Sequence, residues 1–281
     1  MMINFFKEID SNLPVLSISD VLTLLKEPFD SVGVATNTYN KHFNNPKSEY
    51  YKMDVKDILE AWGNKGKESR KYGSMLDNYI GNILTGTEDS LELWKLDNNY
   101  DYDSRLHGLC DSFDNFYKTF TVSGDIEFID REKTIYLKCD GFYIKGRFDA
   151  LFRNKKLNRW IVIDWKSNGK LEKYPSEWTK NLLGPASCLP ALDYYTYTLQ
   201  VHFYKKALLE SGYLPEGTTE NDIDVFIISL PGKQINESNY EICREAFKYD
   251  SKLMNRIFSF AYRKNLLLNK QNNNNNNETI E

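Results

Sequence analysis

Residues 146–166 read G-R-F-D-A-L-F-R-N-K-K-L-N-R-W-I-V-I-D-W-K. Two β-branched and aromatic runs flank N-K-K-L-N at 154–158, which predicts two antiparallel strands joined by a tight turn. Asp164 and Lys166 stand two apart on the second strand, so both side chains leave the same face. Asp149 lies on the first strand, where hairpin pairing brings it close to them. An acid and a lysine after the apolar W-I-V-I are costly to bury unless they are paired or bound to a metal. Two readings follow from the residues alone. One is a satisfied ion-paired cluster. The other is a carboxylate pair that holds a hard divalent cation, with a lysine placed to stabilise developing negative charge.

The same alternation extends upstream. Residues 122–130, 134–138 and 142–152 read as further strands, all consecutive and antiparallel. Before them the period is helical. Ser17 to Leu25 is a capped helix, and residues 53–62 form a second with Asp54 as its cap. Tyr72, Leu76, Tyr79, Ile80 and Ile83 predict an amphipathic helix up to about Leu84. Gly73, Asp77 and Gly81 stand four apart on a neighbouring stripe of it. Residues 85–103 are acidic and turn-rich, and another helix is expected over Ser104–Phe120. Downstream, residues 167–192 carry Gly169, Pro175, Gly184, Pro185 and Pro190 and read as a long loop region. A long loop beside a site is often functional. Residues 193–211 form a helix closed by Gly212, and V-F-I-I-S-L at 225–230 is a buried strand. A helix is expected over 240–266, and the Asn-rich tail, residues 267–281, reads as disordered.

The expected fold is therefore α/β: a mixed, mostly antiparallel sheet flanked by helices. It forms one domain over 1–266, with a helical part over 1–120 and a sheet core over 121–230. A chain of 281 residues suits one sizeable core. The net charge of −4 does not mark a general nucleic-acid binder. The charge is uneven, however: residues 131–180 hold 13 Lys and Arg against 6 Asp and Glu, and residues 81–140 hold 6 against 13. A basic segment around the strand pair can supply phosphate contacts on an acidic protein. The four cysteines form no C-x-x-C pair and the three histidines are scattered, so no zinc pattern or disulfide framework is present. That usage fits a reducing, cytoplasmic compartment. The first residues lack the apolar run of a signal peptide, and no stretch is long enough to span a membrane. The Asn-rich tail fits an AT-rich genome, viral (a phage in a bacterial host) or bacterial.

The order G-R-F-D-A, turn, V-I-D-W-K-S, then a helix with Q-x-x-x-Y (Gln200 and Tyr204) resembles the RecB-type exonuclease branch of the PD-(D/E)xK nuclease superfamily. The helix K-Y-G-S-M-L-D-N-Y-I resembles the family's upstream helix, in which a glycine is followed four residues later by a histidine. Here Asp77 replaces that histidine, and a carboxylate is also a good Mg²⁺ ligand. Glu127, in G-D-I-E-F-I-D, sits where related nucleases often carry a strand glutamate. The resemblance covers roughly residues 60–210. It implies a restriction-endonuclease-like core with Mg²⁺ or Mn²⁺ held by Asp77, Asp149, Asp164, the Trp165 carbonyl and Glu127. It makes Lys166 the catalytic lysine, with Gln200 and Tyr204 orienting it or the substrate. The implied activity is metal-dependent DNA hydrolysis, exonucleolytic, in recombination, repair or processing. No G-x-x-x-x-G-K-[ST] loop is present, so a helicase or single-strand annealing partner would be a separate chain. The second reading is a nuclease-fold protein that binds nucleic acid or a protein partner without cutting. A third places a structure-selective or sequence-specific endonuclease on the same residues.

Overall fold

The computed structural model describes residues 9–167, 171–233 and 238–278, with side chains described to residue 271. Gly169 and the last three residues, 279–281, lie outside the described residues. Contacts divide the chain into two compact units, Met1–Glu27 with Asp111–Glu281, and Pro28–Cys110.

The first unit is mixed α/β. Its strands are β1 (Val15–Ser17), β2 (Ile126–Arg131), β3 (Thr134–Cys139), β4 (Phe142–Arg147), β5 (Ala150–Asn154), β6 (Arg159–Lys166), β7 (Ile223–Ser229) and β8 (Glu241–Cys243). They form two sheets rather than the single sheet expected, in orders β1-β4-β3 and β2-β5-β6-β7-β8. The expected strand over 142–152 is broken at Phe148–Asp149. Phe148 is fully buried there, and the chain leaves one sheet for the other between β4 and β5. The β1–β4 and β6–β7 pairs are parallel and the others antiparallel.

The β6–β7 pair needs a crossover, because parallel neighbours cannot be joined by a hairpin. Helix α6 (Asp193–Ser211) supplies it and ends at Gly212, whose φ of 73° is the left-handed conformation a glycine cap allows. Helix α6 lies against β3, β4, β6 and β7. Helix α1 (Ile18–Leu24) is capped by Ser17 through a reciprocal bond with Asp20, as its sequence implies. Helix α7 (Ser251–Glu278) packs beside α1 and α6. It starts later than expected, because 241–243 pair as β8. Its backbone then remains helical through the Asn-rich segment to Glu278. Leu151, Val162, Ile227, Leu199, Phe203, Ile257 and Phe258 belong to one buried core shared by these elements.

Helix α5 (Ser104–Thr121) crosses the division between the units. Within the first unit, its Phe113 and Phe116 meet Trp165 edge-on at 5.6 and 5.7 Å between centroids. Its Phe120 meets Phe152 at 5.2 Å. Trp165 points away from Asp164, so α5 and α6 cover opposite faces of the five-stranded sheet.

The second unit is helical. Helix α2 (Ser31–His42) precedes α3 (Val55–Thr85), which merges the two helices expected over 53–84 into one. Asp54 caps it, as expected. Helix α4 (Glu88–Asp97) occupies part of the segment expected to be turns, with Thr87 as its cap. Trp94 is buried there and packs with Tyr79 at 5.2 Å, an apolar anchor within an otherwise acidic segment.

Candidate metal-assisted hydrolytic site

The register Ala150↔Ile163, continued by one residue, sets Asp149 opposite Asp164. Asp149 occupies the bend that switches sheets, just ahead of β5. One carboxylate oxygen accepts the Trp165 N–H at 2.7 Å. In a strand, the N–H and C=O of one residue point to the same edge. The Trp165 carbonyl therefore faces the edge that the Asp149 carboxylate occupies. The next carbonyl, of Lys166, points the other way and accepts Leu230 N–H at 2.8 Å.

Asp164 is 1% exposed. Lys166 Nζ forms an ion pair with its Oδ2 at 2.6 Å. Lys166 Nζ also donates to Gln200 Oε1 at 3.3 Å, and Gln200 Nε2 donates to Tyr204 Oη at 2.7 Å. Tyr197 places its ring 4.2 Å from the same ammonium. Residues 197, 200 and 204 fall on one stripe of α6, spaced by three and four, which is how one helix face presents them together. Tyr197 was not singled out from the sequence, although that spacing from Gln200 and Tyr204 is visible in it.

The electrostatics follow from this packing. Burial by itself lowers the Lys166 pKa, but Asp164 and Asp149 together outweigh it and hold it above the usual lysine value. Lys166 is thus a cation and a donor, not a proton acceptor. Burial first, then the same two carboxylates, pushes the Tyr204 phenol well above its usual range, so its hydroxyl keeps its proton.

Gly146 explains how α6 comes so near. A Cβ at this position would lie 2.3 Å from Phe203 Cε1 and 3.1 Å from Tyr204 Cε1. The glycine of G-R-F-D thus provides room for the helix that carries Gln200 and Tyr204.

The structure brings together Asp149, Asp164, the Trp165 backbone, Lys166, Gln200 and Tyr204. It does not bring Glu127 to them. Glu127 pairs with Arg153, which pairs with Trp160, four residues before Asp164. That is roughly 13 Å away along the strand direction. The bulge between Phe128 and Asp130 shifts the register of the rest of β2 but leaves Glu127 at that far end. Asp77 is half-buried on α3 in the second unit. Among the described residues, no group of three or more His, Cys, Asp or Glu is arranged to hold a metal ion. A cavity of about 660 Å³, lined by Arg159, Asp224, Lys205 and Glu245 among others, includes none of the clustered residues.

No protein-family model and no curated protein matches the chain. Among solved structures it is similar to the crystal structure of a "Putative exonuclease" from Eubacterium rectale, at a TM-score of 0.42 and 13% identity. The match covers 92% of this chain and 80% of that one. At that level of similarity, the site rests on its own geometry. That geometry is a mixed α/β fold that presents two acids and a lysine at the end of a buried strand. No described helix is long and apolar enough to cross a membrane.

Proposed function

We propose that the chain is a metal-dependent nuclease that hydrolyses phosphodiester bonds in DNA. The observation that carries the reading is the Asp149–Asp164–Lys166 cluster, two carboxylates and an ammonium gathered at the end of a buried strand. Lys166 Nζ neutralises one Asp164 oxygen at 2.6 Å, and the two carboxylates together carry one negative charge more than the single ammonium balances. The donor set fits a hard ion: Asp149 and Asp164 carboxylate oxygens and the Trp165 carbonyl, all oxygen ligands. Mg²⁺ retains several waters and needs only one or two carboxylates from the protein. When bound, such an ion polarises the phosphodiester and lowers the pKa of a water.

The chain's own residues supply the rest. Lys166, held protonated, donates toward the negative charge that builds on the phosphorus-bound oxygens. Gln200 fixes the ammonium by accepting from it, and the Tyr204 hydroxyl fixes the Gln200 amide. Tyr197 keeps the other side of Lys166 dry and favours its charge through the ring face. In this reading Glu127 takes no part. Exonucleolytic action in recombination or repair, beside a separate helicase or annealing protein, extends the reading through the resemblance noted above.

The small ligand set favours one further reading, a nuclease-like protein that holds DNA without cutting it. One experiment separates the two. Purified protein is incubated with end-labelled linear duplex and circular single-stranded DNA, with Mg²⁺, Mn²⁺ or EDTA, beside Asp164→Ala. Metal-dependent loss of the linear substrate, absent in the variant, is the expected result, and the fate of the circle separates exonuclease from endonuclease. Retention of DNA on a filter without cutting would refute the nuclease reading in favour of the second.

A further inference from the structure

Residues 171–182 form a loop anchored at both ends. Leu171 and Leu182 belong to the buried core, and Leu182 N–H bonds to Leu189 O at 2.9 Å. Between these anchors stand two aromatic side chains with almost no protein around them. Trp178 is 89% exposed and Tyr174 82%. Trp178 is the third residue of a turn held by Thr179 N–H to Ser176 O at 3.0 Å and Ser176 N–H to Thr179 Oγ1 at 2.8 Å. The backbone is thus ordered while the indole projects outward. Tryptophan is usually well buried, and two large rings this exposed within five residues, one of them on a hydrogen-bonded turn, mark a surface that something else covers.

The place of this loop identifies the occupant. Lys166 pairs in register with Ser229, and Ser229 with Glu241, so the three lie in one row across β6, β7 and β8. Two strand spacings put Glu241 about 10 Å from Lys166. Lys173 forms an ion pair with Glu241, and its ammonium sits 5.6 Å from the Tyr194 ring on α6. The loop is therefore tied to the same face of the sheet as the cluster, and Tyr174 is the next residue. Glu172 and Glu177 flank the rings. They disfavour a phosphate contact here and leave the faces of unpaired bases as the matching surface. Base stacking on aromatic rings tolerates any sequence, as a general nuclease requires.

We propose that Tyr174 and Trp178 form a stacking platform for unpaired bases of the DNA strand, on the loop tied to the face of the sheet that carries Lys166. The proposal rests on the nuclease reading for its substrate, but its test does not require cutting. The probe is a fluorescein-labelled oligothymidylate of about 12 nucleotides, the range of common single-strand sites. It is titrated in EDTA against full-length Asp164→Ala protein, with and without Tyr174→Ala and Trp178→Ala. The expected result is about tenfold weaker binding for the doubly substituted loop, the loss typical of a removed base stack. Trp178→Phe should retain most of the affinity, and the melting temperature should not move, because neither ring is packed. Placing an abasic site at successive positions should remove the difference between Trp178 and Ala at one position and its neighbours only.

Unchanged affinity in the loop variants overturns the platform. So does a change in sedimentation of the DNA-free protein with DNA binding intact, which would make the loop a contact between copies of the chain. If cutting depends on Asp164 while the loop variants bind normally, the platform fails and the nuclease reading survives. If the variants lose binding while no cutting is found, the stacking surface stands and the nuclease reading fails.

Discussion

Gly146→Ala is a one-carbon change whose consequence can be worked from the packing. Its φ is not in the left-handed region, so the backbone accepts alanine, and the whole effect is steric. The new Cβ would lie 2.3 Å from Phe203 Cε1, 3.0 Å from Cδ1 and 3.1 Å from Tyr204 Cε1. Carbon atoms sit comfortably at about 3.5–4.0 Å, so helix and strand must part by about 1 Å. Phe203 cannot yield, since it is fully buried and packs edge-on against Phe258. Overpacking of this kind costs about 1–3 kcal/mol. For a unit of this size the melting temperature falls by about 2–12 °C. The same displacement moves Gln200 and Tyr204 away from Lys166, and a shift of about 1 Å at a reacting centre costs on the order of 100-fold in rate. The assay is thermal unfolding by circular dichroism beside turnover on linear duplex. Phe203→Leu trims the clashing ring edge, so the double variant should be more stable than the two single losses added together. A Gly146→Ala protein that melts and cuts like the parent would refute the claim that this glycine sets the approach of α6.

Lys166→Met keeps the length of the side chain and removes the charge, and turnover should drop at least about 100-fold with the far-ultraviolet spectrum unchanged. Lys166→Arg should not restore it, because the ammonium sits between Asp164 Oδ2 at 2.6 Å and the Tyr197 ring at 4.2 Å, with no room for a planar fork. Unchanged turnover in either variant would remove Lys166 from the chemistry. Elsewhere, Glu245 accepts from the ring N–H of the fully buried His202 at 2.8 Å, and this bond foremost holds its carboxyl below the usual value of 4.5. A depressed carboxylate stabilises the fold above pH 4.5, and the gain is lost as pH falls through the lower folded value. The melting temperature of Glu245→Gln should therefore lie below the parent at neutral pH and converge with it on acidification. A gap that stays constant to low pH would show that the carboxylate charge contributes nothing.

The elements of the site were legible wherever a local period placed them. Strand alternation alone sets Asp164 and Lys166 on one face, and the helical repeat alone aligns Gln200 with Tyr204 on α6. Capping chemistry located the starts of α1 and α3 at Ser17 and Asp54, because a cap bond closes within three residues. The left-handed Gly212 likewise marked the end of α6. Non-local pairing decided what these patterns leave open. The alternation of residues 142–152 is the same whether they lie in one sheet or two. Only the pairing of β4 with β1 and β3, and of β5 with β2 and β6, shows the chain changing sheets beside Asp149. Glu127 has the residue type and strand position of a ligand, yet the register with Arg153 and Trp160 carries it to the far end of the sheet. The parallel placement of β7 against β6, and the capture of 241–243 as β8 ahead of α7, depend on partners tens of residues away. Local sequence reports which face a side chain takes, because a strand or helix repeats every few residues. Which acids meet across the fold is set by register between distant segments, and only the tertiary structure determines that.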